Sequence, residues 1–191
     1  AAAPPQHRLV SWASSEKTKD VCLDSADVVA FNQYPGWYTE SYDAVNSTWV
    51  NLSSWAEAHF PSKPFMISET GGGAIFEWKN ETKAPSKLPP RWSQQYQTLL
   101  VSADVRSALS IPHVAGISLW QFSDIKADDA STERCGPCVY KVPYNASEPM
   151  DCAFVSVRCF RPGGENHKGL VDLWRRKKEA FGAVKALYAA H

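Results

Sequence analysis

The sequence has no surplus of charge: twenty Lys and Arg balance twenty Asp and Glu over 191 residues. A balanced chain presents no field to draw in nucleic acid or an anionic membrane surface. It also has no apolar run of bilayer-spanning length, so no membrane-crossing helix is expected. The N-terminal Ala-Ala-Ala-Pro-Pro lacks the apolar core of a signal peptide; any such leader would be removed or lie outside this chain. What is present is 44% hydrophobic residues, enough for one well-buried core at this length. Eight Trp, eight Phe and seven Tyr supply flat apolar faces with polar handles, which suit sugars but also fill ordinary cores.

The most informative stretch is Lys63-Pro-Phe-Met-Ile-Ser-Glu-Thr-Gly-Gly-Gly73. A short apolar run ends in an acidic residue, and three glycines follow. In a parallel barrel such a pattern puts a carboxylate at the C-terminal mouth, where ligands bind. The glycines let the backbone turn sharply beside a bulky substrate. Glu69 is therefore the first candidate for chemistry, although strand-Glu-loop also describes helix caps and surface turns.

Four Asn-x-Ser/Thr sequons, at Asn46, Asn51, Asn80 and Asn145, point to a secreted, extracellular or lumenal (lysosome- or vacuole-like) glycoprotein. Four of the five cysteines gather between Cys135 and Cys159. Cys135-Gly-Pro-Cys138 is not read as a redox motif, because a Pro-interrupted loop follows instead of a helix. Cys135, Cys138, Cys152 and Cys159 could hold zinc, but an oxidising compartment favours disulfides stapling a long loop. Cys22 is the odd one out.

Strands are expected at about Arg8–Ala13, Val28–Asn32, Pro64–Ser68 and Ala115–Gln121, each nearly continuously apolar, as strands buried on both faces are. Trp49–Phe60 carries Leu52, Trp55, Ala56 and His59 at helical spacing. Trp92–Leu109 repeats the pattern with Tyr96, Leu99, Leu100, Val105 and Leu109. A last basic helix is expected at about 175–188, its charges forming a solvated face. Strands alternating with helices imply a parallel α/β sheet. Four strand-helix units make half of an eight-stranded barrel, which typically needs about 250 residues. The chain thus reads as a partial barrel domain over 1–191, with a Cys-rich insertion at about 125–162.

Four blocks, in order, resemble glycoside hydrolase family 2, in the C-terminal half of its catalytic barrel. Val28-Val-Ala-Phe-Asn-Gln-Tyr-Pro-Gly-Trp-Tyr38 is similar to the sixth strand and its aromatic loop. Phe65-Met-Ile-Ser-Glu-Thr-Gly71 is similar to the seventh strand with the nucleophile. Gly116-Ile-Ser-Leu-Trp-Gln-Phe-Ser-Asp124 is similar to the eighth, and Asn166-His-Lys-Gly-Leu-Val-Asp172 to the segment after the barrel. Asn166-x-Lys168 resembles the β-glucuronidase branch, where both side chains grip the sugar carboxylate. A Lys ammonium supplies charge and three donors, and an Asn amide adds a directed bond. Arg161, just upstream, could be a third anion contact. The resemblance also implies sugar-lining roles for Asn32, Tyr34, Tyr38 and Trp120. Trp37 reads as core and Asp124 as a cap or loop ligand.

Two departures stand out. Thr70 replaces an aromatic residue that often follows the nucleophile. The acid/base Glu, which in the family follows an Asn at the fourth strand, has no counterpart; Asn80-Glu81 lies in a polar, Pro-rich loop and is a decoy. The acid/base is therefore expected N-terminal to residue 1, in the same protein or in another chain completing the barrel. The resemblance implies a retaining β-glycosidase acting on β-glucuronides through a covalent intermediate on Glu69, without metal or organic cofactor. Alternatives are a β-galactosidase-type activity of the same family, a non-catalytic module of an extracellular assembly, and a Cys-rich redox or zinc module.

Overall fold

A computed structural model of the chain describes residues 8–38, 41–79, 88–127 and 161–191. The sequons at Asn80 and Asn145, and Cys135, Cys138, Cys152 and Cys159, lie outside these residues. The fold is mixed α/β and divides into two compact units. One comprises the described residues up to Thr70 together with Ala103–Leu119; the other comprises those of Gly71–Ser102 and Trp120–His191.

The first unit holds a parallel sheet in the order β1 (Val29–Asn32), β2 (Phe65–Thr70), β3 (Val114–Leu119). The expected first strand is reduced to a single parallel bridge between Ser14 and Phe31. Two backbone bonds secure it, from Ser14 N–H to Ala30 O and from Asn32 N–H to Ser14 O. Asp20 pins the same segment, accepting from Trp12 Nε1 at 2.8 Å and Ser14 Oγ at 2.6 Å. These donors hold the Asp20 carboxyl below its ordinary range.

Helix α1 (Val45–His59) buries Val45, Trp49, Ser53 and Ala56. Of the expected Leu52, Trp55, Ala56 and His59, Ala56 is buried, Leu52 and Trp55 are half-buried, and only His59 falls outside. His59 is exposed and stacks on Trp55 with ring centroids 4.2 Å apart. Trp55 in turn touches Phe31, which meets Phe65 edge-on at 5.3 Å, so α1 covers the face of the sheet carrying these rings. Helix α2 (Gln94–Ser110) begins in the second unit and ends in the first. Of the expected Tyr96, Leu99, Leu100, Val105 and Leu109, Tyr96, Leu100 and Val105 are buried, Leu109 is half-buried and Leu99 is 36% exposed; Gln97, Val101, Asp104 and Ala108 are buried as well.

Burial falls across the sheet. β1 is almost wholly buried, whereas β2 alternates between buried and half-buried positions. β3 has no fully buried residue, and Ala115 and Ser118 are exposed. The expectation of strands buried on both faces therefore fails for β2 and β3. Among the described residues, β3 pairs only with β2.

In the second unit β4 (Ile125–Lys126) pairs antiparallel with β5 (Glu165–Asn166), and helix α3 spans Glu179–Ala189. The terminal helix starts later than expected, and its basic charges are solvated only in part: Arg175, Lys177 and Lys185 are exposed, Arg176 and Lys178 are not. Lys178 is buried, and Arg176 is paired with Asp172 at 2.5 Å and Glu77 at 2.8 Å. Arg176 also lies over the Phe76 ring. Asp172 stands only four positions before Arg176, whereas Glu77 lies 99 positions away, beyond what helical periodicity can reveal.

Candidate active site

Glu69 stands where β2 ends, and its place is set by a break in register. Phe31 pairs with Ile67, but the next residue, Asn32, pairs with Glu69. The extra residue on β2 is a bulge, a device that re-aims side chains near sites. Phe65, Ile67 and Thr70 are buried while Met66, Ser68 and Glu69 are half-buried, so the bulge keeps Glu69 off the helix-covered face. Gln33 N–H closes the strand ends by donating to Glu69 O at 3.0 Å.

Tyr34, 8% exposed, donates its hydroxyl to Glu69 Oε1 at 2.5 Å. Tyr38 is more open and meets Tyr34 edge-on at 5.2 Å. The first unit thus brings together four expected site residues: Asn32, Tyr34, Tyr38 and Glu69. Trp37 is buried, as expected of core.

Behind Glu69 lies a residue that sequence reasoning passed over. Thr70 is fully buried and donates to Asp104 Oδ2 at 3.1 Å, while Trp49 Nε1 donates to Asp104 Oδ1 at 2.7 Å. Burial pushes the Asp104 carboxyl up from 3.8 to about 7, against the lowering effect of its two donors. Thr70 therefore has a role an aromatic residue could not fill. The available signal was a carboxylate lying on the apolar stripe of α2.

In the second unit the segment after Trp120 runs beside residues 168–171. Gln121 N–H donates to Lys168 O, Leu170 N–H to Gln121 O, and Val171 N–H to Phe122 O, each at 3.0 Å. Trp120 itself is 39% exposed. Its carbonyl oxygen would lie 2.6 Å from a Cβ on Gly71, whose φ of +146° also demands glycine. A neighbouring carbonyl, more than room for a substrate, accounts for that first glycine.

Asn166 and Lys168 come together: Lys168 N–H donates to Asn166 Oδ1 at 3.2 Å, and both residues are buried. Arg161 is half-buried ahead of the 3₁₀ turn Pro162–Gly164. Asp124 is buried and accepts from Gly169 N–H at 2.7 Å, so it is a loop ligand as read. It also meets Lys178, whose ammonium donates to Asp124 Oδ1, Ala74 O and His167 O at 2.8, 2.6 and 2.9 Å. Desolvation lowers the Lys178 pKa, and Asp124, Asp172 and Glu77 oppose that shift.

The two described sequons, Asn46 and Asn51, are both exposed on α1, Asn46 in its first turn. Asn46 Oδ1 accepts from Ser107 Oγ at 3.1 Å. Among the described residues no group of three or more His, Cys, Asp or Glu could hold a metal.

The ordering of strand, Glu, aromatic loop and Asn-x-Lys can now be set beside known proteins. A β-glucuronidase of Streptococcus agalactiae is 27% identical over 130 residues, covering 65% of this chain and 20% of that protein. A GH2 β-galacturonidase from Eisenbergiella tayi superposes with a TM-score of 0.71 at 27% identity, covering 94% of this chain and 26% of the other. The chain resembles family 2 glycosidases. A Faecalibacterium prausnitzii β-glucuronidase adds likeness of fold, with a TM-score of 0.65 at 24% identity over 97% of this chain and 26% of the other. No family model matches the chain. It spans about a fifth to a quarter of the length of these family 2 relatives.

Proposed function

We propose that this chain is the C-terminal half of a (β/α)8 barrel in a retaining β-glycosidase, with β-glucuronides or related uronides as substrates. The supporting observation is Glu69, placed by a bulge at the end of a parallel strand and held by the Tyr34 hydroxyl. In this reading Glu69 attacks the anomeric carbon and forms a glycosyl ester. A second carboxyl group, carried outside this chain, protonates the leaving oxygen and then activates water. Retention asks for the two carboxyls about 5–5.5 Å apart. Among the described residues β3 has no strand on its far side and no fully buried position, which fits a barrel completed by further strands, since exposed edges are otherwise a liability.

Asn166 and Lys168, by the resemblance, take the sugar carboxylate. Relatives described as a β-glucuronidase and a β-galacturonidase support a uronic acid over a neutral hexose. The sequons and clustered cysteines support a secreted, disulfide-bonded glycoprotein.

Two measurements on the intact protein test this. A 2-fluoro-glycoside should label Glu69, and Glu69→Gln should lower turnover by orders of magnitude; label at Glu77 or Glu81 would sink the assignment. Lys168→Ala should lower kcat/KM for a β-glucuronide about tenfold to a hundredfold relative to a β-galactoside, as expected for losing a bond to a charged group. An unmoved ratio would reject the uronide reading.

A further inference from the structure

We propose that the buried Asp124–Lys178 pair is a positioning device for Lys168, and through it sets the preference for a carboxylate-bearing glycoside; this rests on the uronide reading above. The two peptide groups that flank the Lys168 Cα are each gripped by one member of the pair. The carbonyl of His167 accepts from Lys178 Nζ at 2.9 Å, and the N–H of Gly169 donates to Asp124 Oδ1 at 2.7 Å. Asp124 and Lys178 are themselves joined at 2.8 Å. With both peptide planes fixed, the direction of the Lys168 side chain is fixed too. Regular structure does little of this, because β5 is only two residues long.

Lys178 is not itself a ligand for the sugar. An ammonium has three N–H bonds. Those of Lys178 go to Ala74 O, Asp124 and His167 O, and its side chain is fully buried. Nor is there slack in the loop. A Cβ on Gly169 would lie 2.2 Å from Asp124 N, 2.3 Å from Val171 O and 2.5 Å from Ser123 C, all backbone. Gln121 N–H and Asn166 Oδ1 complete the hold on Lys168 from its own carbonyl and amide. A buried ion pair is poor at raising stability but suited to fixing one arrangement, since a shifted loop leaves a buried carboxylate oxygen and a buried ammonium N–H each short of a hydrogen bond.

The test uses the intact protein. Lys178→Met alone strands a buried carboxylate and can abolish folding. The double variant Asp124→Asn, Lys178→Met removes both charges at similar volume and keeps an acceptor for Gly169. Its folding is checked by a cooperative melt. kcat/KM is then measured with a β-glucuronide and a β-galactoside of one aglycone. The ratio should fall tenfold or more, chiefly through a higher KM for the glucuronide. Equal losses on both substrates, or an unchanged ratio, overturn the proposal. Wild type without uronide preference would instead overturn the substrate reading. Amide exchange then decides whether the pair holds the loop. Faster exchange at Lys168 and Gly169, with α3 unaffected, supports the hold, and unchanged exchange rejects it.

Discussion

A phenol donating to a carboxylate at 2.5 Å fixes which oxygen stays free to react. Removing the hydroxyl by Tyr34→Phe keeps the ring, and so keeps the edge-on packing with Tyr38. A hydrogen bond to a charged group is worth about 1.5–3 kcal/mol, so turnover of the intact protein should fall about tenfold to a hundredfold. A steady-state rate within twofold of wild type would show that the hydroxyl only packs. Glu69 was singled out by a local strand-end motif, and Asn32 and the two tyrosines through the family resemblance; the structure sets all four in one unit. Asp104 and Lys178 were not legible. Apart from His167, their hydrogen-bond partners lie 34 to 104 residues away, so the local sequence does not show what pairs with them.

Among the elements, α1, α2 and β2 meet at one carboxyl group. Asp104 carries Trp49 of α1 and Thr70 of β2, and its folded pKa of about 7 lies above the ordinary 3.8. Between those values the fold holds a proton that the unfolded chain has released. Stability therefore falls as pH rises through this window, by on the order of 4 kcal/mol for a shift of this size. Asp104→Asn keeps an acceptor for Trp49 and cannot ionise. Denaturant titrations at pH 4 to 8 should show wild type losing ground against this variant as pH rises. A constant difference would reject the assignment. At this scale the sequence told helix from strand well and helix faces poorly. The apolar spacing in α1 suggested a stripe through Leu52 and His59, whereas the most deeply buried positions are Trp49, Ser53 and Ala56, with Trp55 half-buried against Phe31.

For the whole molecule, parallel strands alternating with helices were readable because short apolar runs and long periodic ones differ in kind. The decline in burial from β1 to β3 was not, since the same apolar residues suit a covered face or one awaiting cover. If the chain matures in an oxidising compartment, Cys135, Cys138, Cys152 and Cys159 should form two disulfides. Intact mass with and without reductant should show those thiols blocked, and four free thiols or a stoichiometric zinc would reject this. Finally, Lys178 bonds to Ala74 across 104 positions and to Asp124 across 54. Chains grow from the N-terminus, so the ribosome delivers this ammonium last, after every other member of its cluster. A transcript cut at Arg176 would still encode Asn166 and Lys168, yet would release a loop without the ammonium that holds the His167 carbonyl.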